Sequence, residues 1–139
     1  QTKKKTADYW IVDDYAHHPT EIKTTLEAAK QTQPKRLICV FQPHRYSRTK
    51  LLAKEFAKCF SQADILVFTD IYSAGEQPIP GISGRTILEE VEKTGKKAVY
   101  VENMNDISRY VKSIMQPGDL IITMGAGNVY QIGEALISQ

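Results

Sequence analysis

The chain has 139 residues, 42% of them hydrophobic and 24% charged, with 18 Lys and Arg against 16 Asp and Glu for a formal net charge of +2. That length suits one ordinary domain, expected over 1–139, with enough apolar residues for a real core, which excludes general disorder. The balance of charge argues against a nucleic-acid partner, the two cysteines, Cys39 and Cys59, are too few for a disulfide framework or a four-ligand zinc site, and no apolar run nears the roughly 20 residues that cross a bilayer.

The opening QTKKKTADYW is basic but has no apolar signal core behind it, so a soluble intracellular protein is expected. Trp10-Ile11-Val12 is the first strand-like run. Pro19 then precedes a helical stretch, Thr20 to Gln31, with Ile22, Leu26 and Ala29 on one face. Leu37 to Phe41 is the second strand, and Thr49 to Phe60 reads as a helix carrying Leu52, Phe56 and Phe60 inward. Ile65 to Phe68 is the third strand. The irregular stretch from Thr69 to Gly84 is long enough to suggest function rather than filler. Ser83 or Gly84 opens a helix with Ile87, Leu88 and Val91 inward, and Gly95 ends it. Ala98 to Val101 is the fourth strand. Asn105 or Asp106 caps a helix bearing Ile107, Tyr110, Val111 and Ile114. Pro117-Gly118-Asp119 is a turn, Leu120 to Met124 the fifth strand, and Val129 to Ile137 the closing helix.

The strand-like runs are short, nearly continuous and rich in β-branched and aromatic residues, as in strands buried on both faces. Strand and helix alternate. The expected fold is therefore α/β, a three-layer, Rossmann-like domain with a mostly parallel sheet of about six strands. Right-handed crossovers put the carboxyl ends of parallel strands on one edge, where such sheets bind ligands.

Polar residues cluster where this edge should be. Asp13, Asp14, Tyr15, His17 and His18 follow the first strand, and His44, Arg45, Tyr46, Ser47 and Arg48 follow the second. Asp70, Tyr72 and Glu76 follow the third, and Gly125-Ala126-Gly127-Asn128 the fifth. Two acids ahead of a helix also serve as caps, so Asp13 and Asp14 carry little alone. Adjacent histidines point in different directions and no third ligand stands at helical spacing, so no metal site is expected. Arg45 and Arg48, three apart at a helix entry, can face one side and with helical N–H groups form an anion site for a carboxylate or phosphate. The Gly125–Gly127 pair lacks the third glycine of a dinucleotide fingerprint, and no phosphate loop is present. It reads instead as a close-approach turn lining the site. No Ser-His-Asp or Cys-His set is implied by spacing.

The runs Asp13-Asp14-Tyr15-Ala16-His17-His18-Pro19-Thr20-Glu21 and Phe41 to Thr49, with Asp70-Ile71-Tyr72-Ser73-Ala74-Gly75-Glu76, Ile79-Pro80-Gly81 and Gly125 to Asn128, resemble the Mur ligase family in the same order. The likeness is to its alanine-adding members. It implies the C-terminal, Rossmann-like domain of a three-domain cytoplasmic enzyme of peptidoglycan synthesis. Such an enzyme uses ATP and magnesium to join L-alanine to the lactyl carboxylate of UDP-N-acetylmuramate, through an acyl phosphate that the alanine amine attacks. The resemblance places Asp14 and Tyr15 against ATP, near its ribose and adenine. It places His17 or His18 near the phosphates or the reacting centre, and gives L-alanine to His44, Arg45, Arg48 and Tyr72, with Gly125, Ala126, Gly127 and Asn128 lining the pocket.

The family's phosphate loop, magnesium ligands and UDP-binding segment have no counterpart in the chain. The implied partners include the upstream ATPase and UDP-binding domains, with no membrane insertion. No cofactor is expected to bind this domain tightly, and the domain alone is expected to be inactive. A start without an initiator methionine agrees with a fragment. The competing expectation is a stand-alone module for a nucleotide or small acid.

Overall fold

The computed structural model describes residues 9–137 and the backbone of residues 2–5. The expected span 1–139 also takes in residues 1, 6–8, 138 and 139, which lie outside the described residues. Among the described residues six strands and five helices follow one another: β1 (Thr2–Lys5), β2 (Tyr9–Asp14), α1 (Pro19–Gln31), β3 (Arg36–Phe41), α2 (Tyr46–Phe56), β4 (Ile65–Phe68), α3 (Gly84–Lys93), β5 (Val99–Tyr100), α4 (Met104–Ile114), β6 (Asp119–Met124) and α5 (Tyr130–Ile137). They build one sheet in the order β1-β2-β6-β3-β4-β5. β2 to β6 are mutually parallel, and β1 adds an antiparallel edge that the apolar pattern did not reveal. The remaining architecture is the α/β, mostly parallel one expected from the alternation.

Side chains of β3 separate by parity, as pleating requires. Leu37, Cys39 and Phe41 join Ile22 and Leu26 of α1, Phe56 of α2 and Ile87, Leu88 and Val91 of α3 in one apolar layer. Ile38 and Val40 join Ile107 and Val111 of α4 and Ile132 and Leu136 of α5 in the other. This two-sided burial is why the central strands lack polar alternation. Phe41 sits among three other rings of the first layer, those of Phe56, Phe60 and Phe68, at centroid distances of 5.6, 5.2 and 6.1 Å.

Three boundaries differ from the sequence pattern. Asp119 closes the expected turn, its N donating to Gln116 O at 3.1 Å, and is also the first residue of β6, paired in register with Arg36. Its buried carboxylate accepts from Arg36 Nε at 2.9 Å and Nη2 at 2.8 Å, and from Gln116 N at 2.7 Å. Such bidentate, charge-assisted contacts let an acid begin a buried strand. The cap of α4 is Asn103, whose Oδ1 accepts from Asn105 N at 2.9 Å, rather than Asn105 or Asp106. α2 starts at Tyr46, three residues earlier than the apolar spacing indicates, and ends at Phe56, leaving Phe60 buried beyond it.

Registry fixes where the strands end. Asp14 pairs with Met124, Met124 with Phe41, Phe41 with Phe68, and Phe68 with Tyr100. The last residues of all five parallel strands thus form one row, and their exit loops leave the same edge. No helix among the described residues is long and apolar enough to cross a membrane.

Truncating Phe41→Ala removes a fully buried ring from the meeting point of three others. It is expected to lower unfolding stability by about 3–5 kcal/mol in urea titration. A loss below about 1 kcal/mol would contradict the packing described here.

Candidate functional site

Four exit loops meet at the carboxyl edge of the sheet. The first leaves β2 through an Asx turn, in which Asp14 Oδ1 accepts from Ala16 N at 2.8 Å. Asp14 O also accepts from Gly125 N at 3.1 Å, tying this loop to the one after β6. Asp13 is engaged rather than merely solvated, since Thr123 Oγ1 donates to its Oδ1 at 2.8 Å. Glu21 folds back over the start of α1 and accepts from the amides of both His17 and His18 at 3.2 Å. Those two bonds hold its carboxyl below the usual range.

The loop after β3 is organised by Gln42, a buried side chain. Its Nε2 donates to Asn128 Oδ1 at 2.7 Å, and its Oε1 accepts from Val129 N at 3.1 Å. One amide thereby satisfies both a side chain and a backbone group of the loop between β6 and α5. Gly127 has to be small: a Cβ there would stand 2.5 Å from Tyr72 Cγ and 2.7 Å from Gln42 Oε1. The glycine pair is therefore a close-approach turn, as its incomplete fingerprint suggests.

Arg45 takes φ 72°, ψ 140°, a conformation rare outside glycine and costing roughly 1–3 kcal/mol. Arg45 N donates to Tyr72 O at 2.9 Å, while Arg45 O accepts from Thr49 N at 3.2 Å and Thr49 Oγ1 at 2.8 Å. Tyr72 N donates to Pro43 O at 2.9 Å. The long loop thus pairs with the β3 exit as a short extra bridge, His44 against Tyr72, whose rings stack at 5.8 Å and 16°.

A cavity of about 580 Å³ opens here, lined by Tyr15, His17, His18, His44, Arg45, Ser47, Arg48, Leu51, Leu52 and Ala126. His44, Arg45, Arg48, both candidate histidines and Tyr15 come together as the sequence suggested. Tyr72 reaches the cavity only through its stack on His44. Of the glycine turn, Ala126 faces the cavity, whereas Gly125, Gly127 and Asn128 shape the wall behind it. Asp14 lies beside, in a groove of about 480 Å³ lined also by Tyr15, Ala16, Thr20, Glu21, Thr24 and Thr25. Tyr15, 70% exposed, borders both spaces.

Hydrogen-bond partners assign the imidazoles. Arg48 Nη1 lies 3.3 Å from His44 Nδ1; a guanidinium only donates, so Nδ1 accepts and His44 is neutral with its proton on Nε2. Burial depresses the His44 pKa, and the charges of Arg48, His17 and Arg45 lower it further, against a smaller opposing effect of Glu76. His17 Nδ1 lies 3.0 Å from Tyr15 O and 3.7 Å from Glu21 Oε1, both acceptors, so Nδ1 carries a proton and the lone pair of the neutral ring is on Nε2. The His17 ring sits 5.6 Å from that of His44 and 4.8 Å from that of His18.

One expectation changes. The N–H groups at the start of α2 do not all stand open to an external anion. Glu76 Oε1 accepts from Ser47 N at 3.1 Å, Ser47 Oγ donates to Glu76 Oε2, and Arg45 Nη1 lies 3.9 Å from that oxygen. This acceptor is also why α2 begins earlier than its apolar spacing. Gln42, Ser47, Glu76 and Leu51 were given no role in the site from the sequence, and Leu52 was expected only to face the core. The available signals were a glutamine directly after a buried strand and leucines three and four residues beyond Arg48.

The model of the family described as Mur ligase, glutamate ligase domain, matches residues 1–127. UDP-N-acetylmuramate–L-alanine ligase of Geotalea uraniireducens is 49% identical over 140 aligned residues, covering 100% of this chain and 31% of the relative. The ligase of the same name from Trichlorobacter lovleyi is 53% identical over 131 residues, covering 93% and 29%. The chain therefore spans about three tenths of the length of these relatives. Among solved structures, a UDP-N-acetylmuramate-alanine ligase from Thermotoga maritima superposes with a TM-score of 0.76 at 26% identity, over 94% of this chain and 26% of that one.

His44 is expected to titrate below 6.5 in an NMR pH titration, and Arg48→Ala to return it part of the way, burial keeping the rest. Because the folded state resists protonating this ring, its contribution to stability is complete above pH 6.5 and declines as pH falls from there through the depressed folded pKa. An unshifted His44 would sink its assignment as a neutral acceptor.

Proposed function

The chain belongs to the Mur ligase family, glutamate ligase domain, and we propose that it is the C-terminal domain of a cytoplasmic, ATP-dependent ligase that joins L-alanine to UDP-N-acetylmuramate in peptidoglycan synthesis. The observation that carries this reading is the meeting of Arg48, Arg45 and His44 in one cavity that shares Tyr15 with the Asp14 groove. Two adjoining spaces, one cationic and one lined by an aromatic ring, a carboxylate and hydroxyls, suit an amino acid held beside a nucleotide.

In this reading Arg48 takes the alanine carboxylate. Its guanidinium is held by a ring nitrogen rather than a carboxylate, so a charged partner gains a full charge-assisted contact. Leu51 and Leu52, on the same side of α2, line the apolar part of the cavity where a small side chain fits. His17 Nε2 offers the lone pair able to take a proton from the alanine ammonium, which must lose one before the amine attacks. Tyr15 and Asp14 contact the nucleotide, the ring against the base and the free carboxylate oxygen toward the ribose. The threonines of the same groove fit a hydroxyl-rich ligand. ATP, when bound, supplies the phosphoryl group that activates the substrate carboxylate. Among the described residues no group of three His, Cys, Asp or Glu side chains could hold a metal ion. The magnesium of such a reaction is therefore assigned no ligand here. The phosphate loop and the UDP-sugar site belong to upstream domains of the same polypeptide, and this chain alone does not turn over.

In the ligase polypeptide that carries this chain, Arg48→Ala should raise the KM for L-alanine roughly 10- to 100-fold, from loss of a contact worth about 1.5–3 kcal/mol, with a smaller effect on the KM for ATP. Asp14→Asn should do the reverse. Steady-state phosphate release checks both. An unchanged alanine KM in the Arg48 variant, or turnover by the isolated chain, would refute the reading.

A further inference from the structure

The long loop between β4 and α3 delivers a carboxylate to the edge of the cationic cavity. The turn Ser73–Glu76 is closed by Glu76 N donating to Ser73 O at 3.0 Å, with Ala74 at φ 51° and Gly75 at φ 88°. Two consecutive residues in the left-handed region define this turn tightly. It aims Glu76 at Ser47, which lines the cavity, and at Arg45, which lines it too. The loop's other acid, Asp70, is spent elsewhere: its Oδ1 accepts from Ile71 N at 2.9 Å and Gly84 N at 3.1 Å, fastening the loop at its two ends.

The charges that meet at the two arginines follow from these contacts. Arg45 and Arg48 are cationic. His44 is neutral, because its Nδ1 receives Arg48. Glu76 is ionised, its carboxyl held below the usual range by the Ser47 hydroxyl and amide. Arg45 is thereby balanced from within the chain, and Arg48 is left as the uncompensated cation of the set.

We infer that Glu76 is a specificity-determining residue, an internal carboxylate that matches the cavity to ligands bearing a single carboxylate and disfavours those bearing two. A second carboxylate on the ligand would need Arg45, which Glu76 already holds, and would stand close to Glu76 itself. The inference rests on the reading of this cavity as an amino-acid carboxylate site. It adds the ground on which that site tells a neutral side chain from an acidic one.

The test uses the 139-residue chain with acetate and succinate as probes. The Ser47 amide and the His44 imidazole are followed by NMR at neutral pH and constant ionic strength. The wild-type chain should bind succinate no more tightly than acetate. Glu76→Gln keeps an acceptor for Ser47 N but removes the charge. It should raise the succinate-to-acetate affinity ratio about two- to five-fold, the range of an exposed charge pair. Glu76→Asp should keep the wild-type ratio, and Glu76→Ser serves in place of the glutamine variant should that one not fold. A Glu76→Gln ratio equal to wild type, with acetate still binding, would overturn the inference and leave the carboxylate site standing. Failure of either acid to shift the cavity signals in any variant would overturn the site reading and the inference together.

Discussion

Everything at the functional edge depends on one constraint: a parallel sheet buried on both faces has to end somewhere, and here its strands end in register. Along the row Asp14, Met124, Phe41, Phe68 and Tyr100 the chain leaves a dry ladder at five adjacent points. Each departure frees backbone groups close to the core, where an unpaired amide or carbonyl is costly. Gln42, at the β3 exit, serves the β6 exit with one side chain by accepting from Val129 N and donating to Asn128, and Asp14 and Asp70 serve the β2 and β4 exits by accepting the amides of Ala16 and Ile71. Among the described residues no buried side-chain nitrogen or oxygen lacks a partner. The loops that carry His17, His44 and Arg45, and the start of α2 that carries Arg48, are therefore fixed by obligations of the sheet. Their side chains inherit that order without needing mutual contacts for it.

The same economy explains what could be read from the sequence. The five parallel strands were legible because burial on both faces leaves an apolar run that little else produces. β1 was not, since three of its four residues are lysine and an antiparallel edge strand can rest on backbone pairing alone. Helix starts were the weakest points. α2 begins at Tyr46 because Glu76, some thirty positions on in sequence, supplies an acceptor that no local pattern announces. Asn103 caps α4 though Asn105 and Asp106 are equally capable caps. Pro19 succeeded as a marker because its fixed φ is a purely local constraint.

The candidate site was legible in part, for a comparable reason. Clusters of His, Arg and Tyr after strand ends are visible in one dimension, and the fold brings His17, His44, Arg45 and Arg48 to a single cavity. Which nitrogen of His17 or His44 carries its proton is decided by partners, the Tyr15 carbonyl in one case and the Arg48 guanidinium in the other. Those partners become known only with coordinates. Gln42 shows the limit most plainly. A polar residue after a strand is common, and only its burial against Asn128 and Val129 separates it from any surface glutamine.

The two arginines then differ despite sharing a helix end. Arg45 occupies a backbone region that a non-glycine residue adopts only under compulsion, and the compulsion is visible: its amide bonds Tyr72, its carbonyl bonds Thr49, and its guanidinium faces Glu76. Each constraint comes from the long loop or from the first turn of α2, so Arg45 is committed before any ligand arrives. Arg48, one turn further along, meets a neutral ring. Spacing alone made them look equivalent, and both do line the one cavity. Position on a helix sets where a charge is. What the charge can still bind is set by how much of it the fold has already used, and by that measure Arg48 is the residue the cavity is built to offer.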